Sequence, residues 1–297
     1  MHELMHRNTV FWLVSAVLII SGCNITESKP TDPQAVVKRT IDNLIYVPGG
    51  TFIMGDGAFK KDVNGLETEQ YWTGEKNDKP PHEVSLDSFY LDKYEVIFDE
   101  YDVYTQAKGK PKQFENLAQS GVRSGYPVIV NWYEAKDYCT WLSEVSGLPF
   151  DLPTEAQWEY AARNGGKNYL FPTDNGKLER GRNFKIKEKG KEKWWFSPVG
   201  MNPPNLMGFY SMAGNVGEWV QDWFDPFYYT DSPINNPKGP QKSPFKEKPW
   251  KTSRGGGASL GTVDRNFLVF TRYATLPEKD GNGDIGVRCA LQLHEKI

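Results

Sequence analysis

One stretch constrains this chain more than any other: residues 205–225, NLMGFYSMAGNVGEWVQDWFD. Gly208, Gly214 and Gly217 free the backbone for positive φ or for close approach of another segment. Phe209, Tyr210, Trp219, Trp223 and Phe224 supply large apolar area. Asn215, Glu218, Asp222 and Asp225 stand among them with hard oxygen atoms. Two structures satisfy this mixture. One is a buried, irregular calcium loop, where carboxylates and outward-turned carbonyls form a flexible cage. The other is a glycine-rich turn whose aromatic residues enter the core and which holds no ion. The spacing is not that of an EF-hand. Aromatic residues make up 14% of the chain and long apolar runs are few, so the expected core is built by aromatic packing among loops.

The first residues have a different character. His6 and Arg7 precede an apolar run from Val10 to Ile20, interrupted only by Ser15. That run is short for a membrane-spanning helix and suits the apolar region of a signal peptide. Ile20-Ser21-Gly22-Cys23 then reads as a lipobox, with Cys23 as the lipidated first residue of the mature chain; an uncleaved anchor with an incidental cysteine is the alternative. Acylation of Cys23 implies stable anchorage. Asn24, not Asp, follows it, which makes the outer membrane of a two-membrane bacterium the default destination and places the domain in the periplasm or at the cell surface. The expected organisation is a signal peptide at residues 1–22, a polar tether at 23–40 and one domain at 41–297. A net charge of −3, from 35 basic and 38 acidic residues, gives no bias toward nucleic acid.

Within the domain, Leu44 to Met54 predicts two short strands joined at Pro48-Gly49-Gly50, and 56–79 a long loop. Residues 80–94 predict a strand leading to a helix that ends near Gly109. Two helices carry explicit start signals. Asn131 with Glu134, and Thr154 with Gln157, are capping boxes, and Gly147 and Gly165-Gly166 are stops. The first has the inner face Ala135, Tyr138, Cys139, Leu142 and Val145. Lys-rich residues 174–195 and Pro/Lys-rich residues 231–251 read as surface loops. Few periodic elements in so long a chain indicate an irregular α+β domain.

Only His82 and His294 remain after the signal, far apart in sequence, and no GxSxG elbow occurs, so zinc, non-haem iron and serine-hydrolase chemistry are poorly supplied. Cys139 and Cys289 form an even pair, which in an oxidising compartment reads as a disulfide; two buried thiols that never meet are the alternative.

Six segments, in order, resemble the formylglycine-generating enzyme (sulfatase-modifying factor) family: YVPGGTFIMG at 46–55, YPVIVNWYEAKDYCTWL at 126–142, LPTEAQWEYAAR at 152–163, GNVGEW at 214–219, SRGGGASL at 253–260 and GVRCAL at 286–291. The resemblance covers residues 45–293 and implies the family's irregular, loop-rich α+β fold, related to C-type lectins. It also implies a Cys139–Cys289 bridge. Catalytic members carry two cysteines after the RGG segment, which bind Cu(I). Here Leu260 and Arg265 fall at those positions, and residues 257–275 contain no cysteine. Soft thiolates are what Cu(I) requires, so the resemblance implies no copper and no formylglycine formation by that route. Of the family's second calcium site, Gly214, Val216 and Glu218 match, and Ser211 replaces an asparagine. Of the first, Asn183 and Phe184 match and the downstream aspartate is missing, so one calcium is expected, at 211–218.

Two functions fit. The first is a non-catalytic envelope lipoprotein that binds a protein or peptide partner, as an accessory in secretion or envelope assembly, through a groove of Arg254, Leu260, Arg265, Arg272 and Tyr273; Arg guanidinium groups grip carboxylates and backbone carbonyls. The second is a maturation or oxidoreductase enzyme of the same family that needs no cysteine pair.

Overall fold

The computed structural model describes residues 29–57, 73, 75–114, 123–184, 197–257, 264–278 and 284–296, with 60–63 and 66–69 as backbone. The fold begins earlier than residue 41. Asp32 caps α1 (Pro33–Asn43), accepting a hydrogen bond from the Ala35 N–H at 2.9 Å, and Pro33 stands in the first turn. Val36, Val37 and Thr40 are buried, so residues 33–40 belong to the domain and not to the tether. The polar sequence hides this because only one face of the helix meets the core.

Strands β1 (Leu44–Val47) and β2 (Gly50–Met54) follow as expected. Residues 56–79 are not only loop: β3 (Lys60–Val63) and β4 (Leu66–Glu69) pair as a hairpin. The segment at 80–94 makes two strands, β5 (His82–Leu86) and β6 (Phe89–Asp92), before α2 (Phe98–Ala107). Next come α3 (Trp132–Ser146), β7 (Phe150–Asp151), α4 (Glu155–Ala162), β8 (Gly217–Trp223), β9 (Lys251–Arg254), β10 (Tyr273–Thr275), β11 (Ile285–Gly286) and β12 (Ala290–Leu291). Both predicted capping boxes form. Asn131 Oδ1 accepts from the Glu134 N–H at 2.9 Å and Thr154 Oγ1 from the Gln157 N–H at 3.2 Å. Gly147 ends α3 in the left-handed region, at φ 71°.

Two small sheets organise these elements. One has the order β1-β6-β12-β7, antiparallel throughout. The other, β10-β9-β8-β11, is antiparallel except that β11 runs parallel to β8. The two larger clusters of the core are rich in aromatic residues. Tyr101, Tyr104, Tyr138 and Trp141 join α2 to α3, with centroids 5.0–5.6 Å apart. Trp158 and Tyr160 of α4 fill the second, beneath β2 and β5. Cys139 on α3 and Cys289, just before β12, form a disulfide with Cα atoms 5.7 Å apart, tying α3 to the first sheet.

Candidate functional site

Residues 205–225 lead into β8, an inner strand of the second sheet. Asn205 organises the approach: its Oδ1 accepts from the N–H groups of Met207 and Phe209, and its Nδ2 donates to the Ala161 carbonyl. Ser211 and Asn215 both hold positive φ, 57° and 61°. Asn215 donates to Glu95 at 2.9 Å, and the Trp219 indole donates to the Val130 carbonyl at 2.8 Å. The aromatic side chains Phe209, Trp219 and Phe224 are buried.

Glu218 does not present an open carboxylate to a cation. Arg288 donates to both of its oxygens, Nη2 to Oε1 at 2.7 Å and Nε to Oε2 at 3.0 Å, and the Trp158 indole donates to Oε2 at 2.7 Å. All three side chains are buried. The expected calcium set therefore fails at its one charged member: Ser211, Gly214 and Val216 lie on the same turn, but a buried guanidinium already neutralises Glu218 and would repel a dication. Asn183 is likewise committed, its Oδ1 accepting from the Glu179 N–H and its Nδ2 donating to Asp174. The copper donor set does not fit either, because the domain's two cysteines are spent in the disulfide.

Of the five expected groove residues, two belong to the interior. Arg254 donates to Glu155 at 3.1 Å and to Glu159 at 2.6 Å. Arg272 donates through Nε and Nη2 to the two oxygens of Glu155, at 2.7 and 2.8 Å. Arg163 closes the cluster on Glu159, whose Oε1 also accepts from the Gly55 N–H. All are buried, so Arg254 and Arg272 hold the fold together and do not face a ligand. Buried arginines need fully paired carboxylates, and α4 supplies these at positions 155 and 159, one turn apart on a helix every residue of which is buried. Two acidic residues at that spacing inside LPTEAQWEYAAR are the sequence signal that could have identified the cluster. Burial alone would raise the Glu159 carboxyl; Arg163 and Arg254 beside it hold it below its usual range.

Arg265 stands elsewhere. A 3₁₀ turn, Asp264–Phe267, carries it on the surface. That turn is fixed from behind. The Tyr273 hydroxyl donates to the Asn266 carbonyl at 2.7 Å and the Thr271 hydroxyl to the Arg265 carbonyl at 2.7 Å, while the Phe267 and Phe184 ring centroids are 4.4 Å apart. Gly256 allows the approach, since a Cβ there would lie 2.5 Å from the Asn266 oxygen. Tyr273, pushed above the usual phenol range by burial, keeps its proton and spends it on the backbone. Tyr273 is thus a brace and Arg265 an exposed cation on the turn it supports. Leu260 and Cys23 lie outside the described residues. His82 packs on Tyr229 and His294 sits beside Ser88 in the tail, each hydrogen-bonded to a backbone carbonyl.

A family model for the sulfatase-modifying factor enzyme 1-like domain matches residues 29–293. Formylglycine-generating enzyme of Mus musculus is 26% identical over 304 residues, covering 84% of this chain and 75% of that protein. Chaperone protein LppX of Paenibacillus barcinonensis is 24% identical over 315 residues, covering 89% of this chain and 92% of that one. Among solved structures, PvdO from Pseudomonas aeruginosa superimposes with a TM-score of 0.63 at 26% identity, over 84% of this chain and 94% of that chain.

Proposed function

The chain belongs to the sulfatase-modifying factor enzyme 1-like domain family, and from that premise we propose that it is a copper-independent, lipid-anchored envelope protein that binds a protein or peptide partner and does not oxidise cysteine. The observation that carries this reading is the Cys139–Cys289 disulfide. Cys23 is the chain's third cysteine, and in this reading lipid occupies it, so no thiolate pair is left to hold Cu(I). The scaffold is retained while the redox donors are gone, and a relative bearing the name of a chaperone supports a binding role.

Arg265 supplies the contact. A guanidinium has five donors in a fixed fork and pairs with carboxylates or carbonyls of an extended peptide. The turn beneath it is already braced by Tyr273 and Thr271, so binding does not have to order it. The domain faces the periplasm or the cell exterior, held to the outer membrane through Cys23.

The test has two arms. The purified domain is incubated with Cu(I), oxygen and a CxPxR peptide, and aldehyde is sought by mass spectrometry; none is expected, and turnover overturns the reading. In parallel, crosslinked envelopes are searched for captured partners. Arg265→Ala is expected to lose the partner that the native protein retains. Lys108→Ala, a change at the exposed end of α2, is the control and should keep it. Equal capture by Arg265→Ala and the native protein removes Arg265 from the interface.

A further inference from the structure

A cavity of about 240 Å³ opens where the start of α4 meets β7, β8 and the chain after β12. It is separate from the surface that carries Arg265: none of Arg254, Arg265, Arg272 and Tyr273 lines it. A single water needs only about 10–15 Å³. Pockets for drug-sized ligands start at about 300 Å³. The cavity suits a small molecule.

Its walls are polar, and neighbours hold their hydrogen-bonding groups in place. Gln157 and Gln292 donate to each other, amide to amide, at 2.8 and 3.1 Å. Gln157 Oε1 also accepts from the Thr154 N–H at 3.0 Å, and Thr154 Oγ1 accepts from the Gln157 N–H. Each amide thus retains a second N–H, and the Thr154 hydroxyl retains its proton. Asp151 is held three ways: by Lys136 and the Leu152 N–H on Oδ1, and by Gln221 Nε2 on Oδ2 at 2.8 Å. Gln221 is thereby oriented with its own carbonyl oxygen still available. Across the cavity, Asn236 and Asp87 clasp each other, the Asp87 N–H donating to Asn236 Oδ1 and Asn236 Nδ2 to Asp87 Oδ2.

The lining carries charge of both signs: Asp151, paired from behind with Lys136, together with Asp87 and Lys238. Only Leu86 and Pro237 are apolar. An ion of either sign would meet a like charge, and the lining offers polar and apolar surface in similar measure, which suits a ligand with both hydroxyls and C–H faces. A hydroxyl both donates and accepts, so several hydroxyls on one small frame answer this alternation of amide N–H and C=O groups.

We propose that this cavity binds a neutral polyhydroxylated ligand of monosaccharide size, read by the amides of Gln157, Gln221 and Gln292 and the Thr154 hydroxyl. Because those side chains are already locked by one another, little rotamer freedom is lost on binding. A free sugar and the terminal residue of a glycan chain present the same hydroxyls.

The experiment is saturation-transfer NMR on the intact soluble domain, using the methyl glycosides of glucose, galactose and N-acetylglucosamine as probes. Binding of at least one glycoside is expected. Gln292→Leu and Gln221→Leu should each weaken it by roughly three- to tenfold, the loss of one or two hydrogen bonds. Gln221→Leu leaves the Gln157–Gln292 pair intact, so it reports even where Gln292→Leu disturbs folding. Lys108→Ala, a surface change away from the cavity, should bind as the native protein does. The corresponding trisaccharides separate the sources: equal or tighter binding indicates a chain end, and rejection a free sugar. No transfer from any of the three glycosides, or unchanged affinity in both Gln variants, overturns the proposal.

Discussion

Replacing Glu155 with glutamine tests whether Arg254 and Arg272 belong to the interior. The substitution keeps the shape of the side chain and removes its charge. In the native cluster Arg254, Arg272 and Arg163 face Glu155 and Glu159, with Glu155 accepting from both Arg254 and Arg272. After the change, Arg272 keeps a neutral amide oxygen at position 155, the carbonyls of Asn77 and Asp225 and its contacts with the Tyr229 and Phe224 rings, but loses its charged partner. Removing one partner of a buried ion pair costs about 3–5 kcal/mol, because the other charge stays desolvated. At about 2–4 °C per kcal/mol for a domain of this size, the melting temperature should fall by about 6–20 °C. Urea unfolding at pH 7 measures the loss, with an unchanged m-value as the check that the denatured state is the same. In a double-mutant cycle with Arg272→Met, the two changes together should cost less than their sum, by at least about 1 kcal/mol. A loss below about 1 kcal/mol for Glu155→Gln, with additive behaviour in the cycle, refutes the reasoning and returns Arg272 to the candidate ligand contacts.

Three further outcomes are expected. Cys139→Ala/Cys289→Ala opens a loop of 150 residues, worth about 5 kcal/mol in the chain-entropy model, so a measured loss of about 2–5 kcal/mol is expected; two alkylatable thiols in the native protein would contradict the bridge. Burial pushes Asp222 and Glu95 up to about 7, above the value of about 4 in an unfolded chain, so the stability each contributes is fully present below about pH 4 and is lost as pH rises through 7. The urea midpoint should therefore decline between about pH 4 and 7, and the Asp222→Asn/Glu95→Gln variant should flatten that decline; an unchanged slope counts against it. Finally, native protein should fractionate with membranes and Cys23→Ser should not; a native protein that is soluble without detergent defeats the lipid anchor.

Much of the scaffold is legible in the sequence because its signals are local. A capping box acts over three residues, and Asn131–Glu134 and Thr154–Gln157 both form where the sequence predicts them. Gly147 stops α3 for the same reason: only its own backbone conformation is at stake. The six ordered motifs point to the family, and with it to the irregular α+β fold. The start of the domain is harder to read. Residues 33–40 are polar enough to pass for a tether, and their helix becomes visible only when Val36 and Val37 are seen packed in the core.

The chemistry of the charged residues is decided by tertiary structure alone. An arginine in a sequence is equally a ligand contact and a core ion-pair partner until its neighbours are known. Glu155 meets Arg272 across 117 residues, and Glu218 meets Arg288 across 70. Spacing can mark Glu155 and Glu159 on one face of α4, but it cannot say which arginines they meet. What the sequence determined was where α3 and α4 begin, where α3 ends, and which cysteines the chain has. What only the fold decided was that Glu218 turns to a guanidinium instead of an ion, that Arg254 and Arg272 face inward, and that Arg265 faces out. The physical reason is the desolvation of charge: a buried carboxylate must find a cation, and which cation it finds depends on how the chain closes in space.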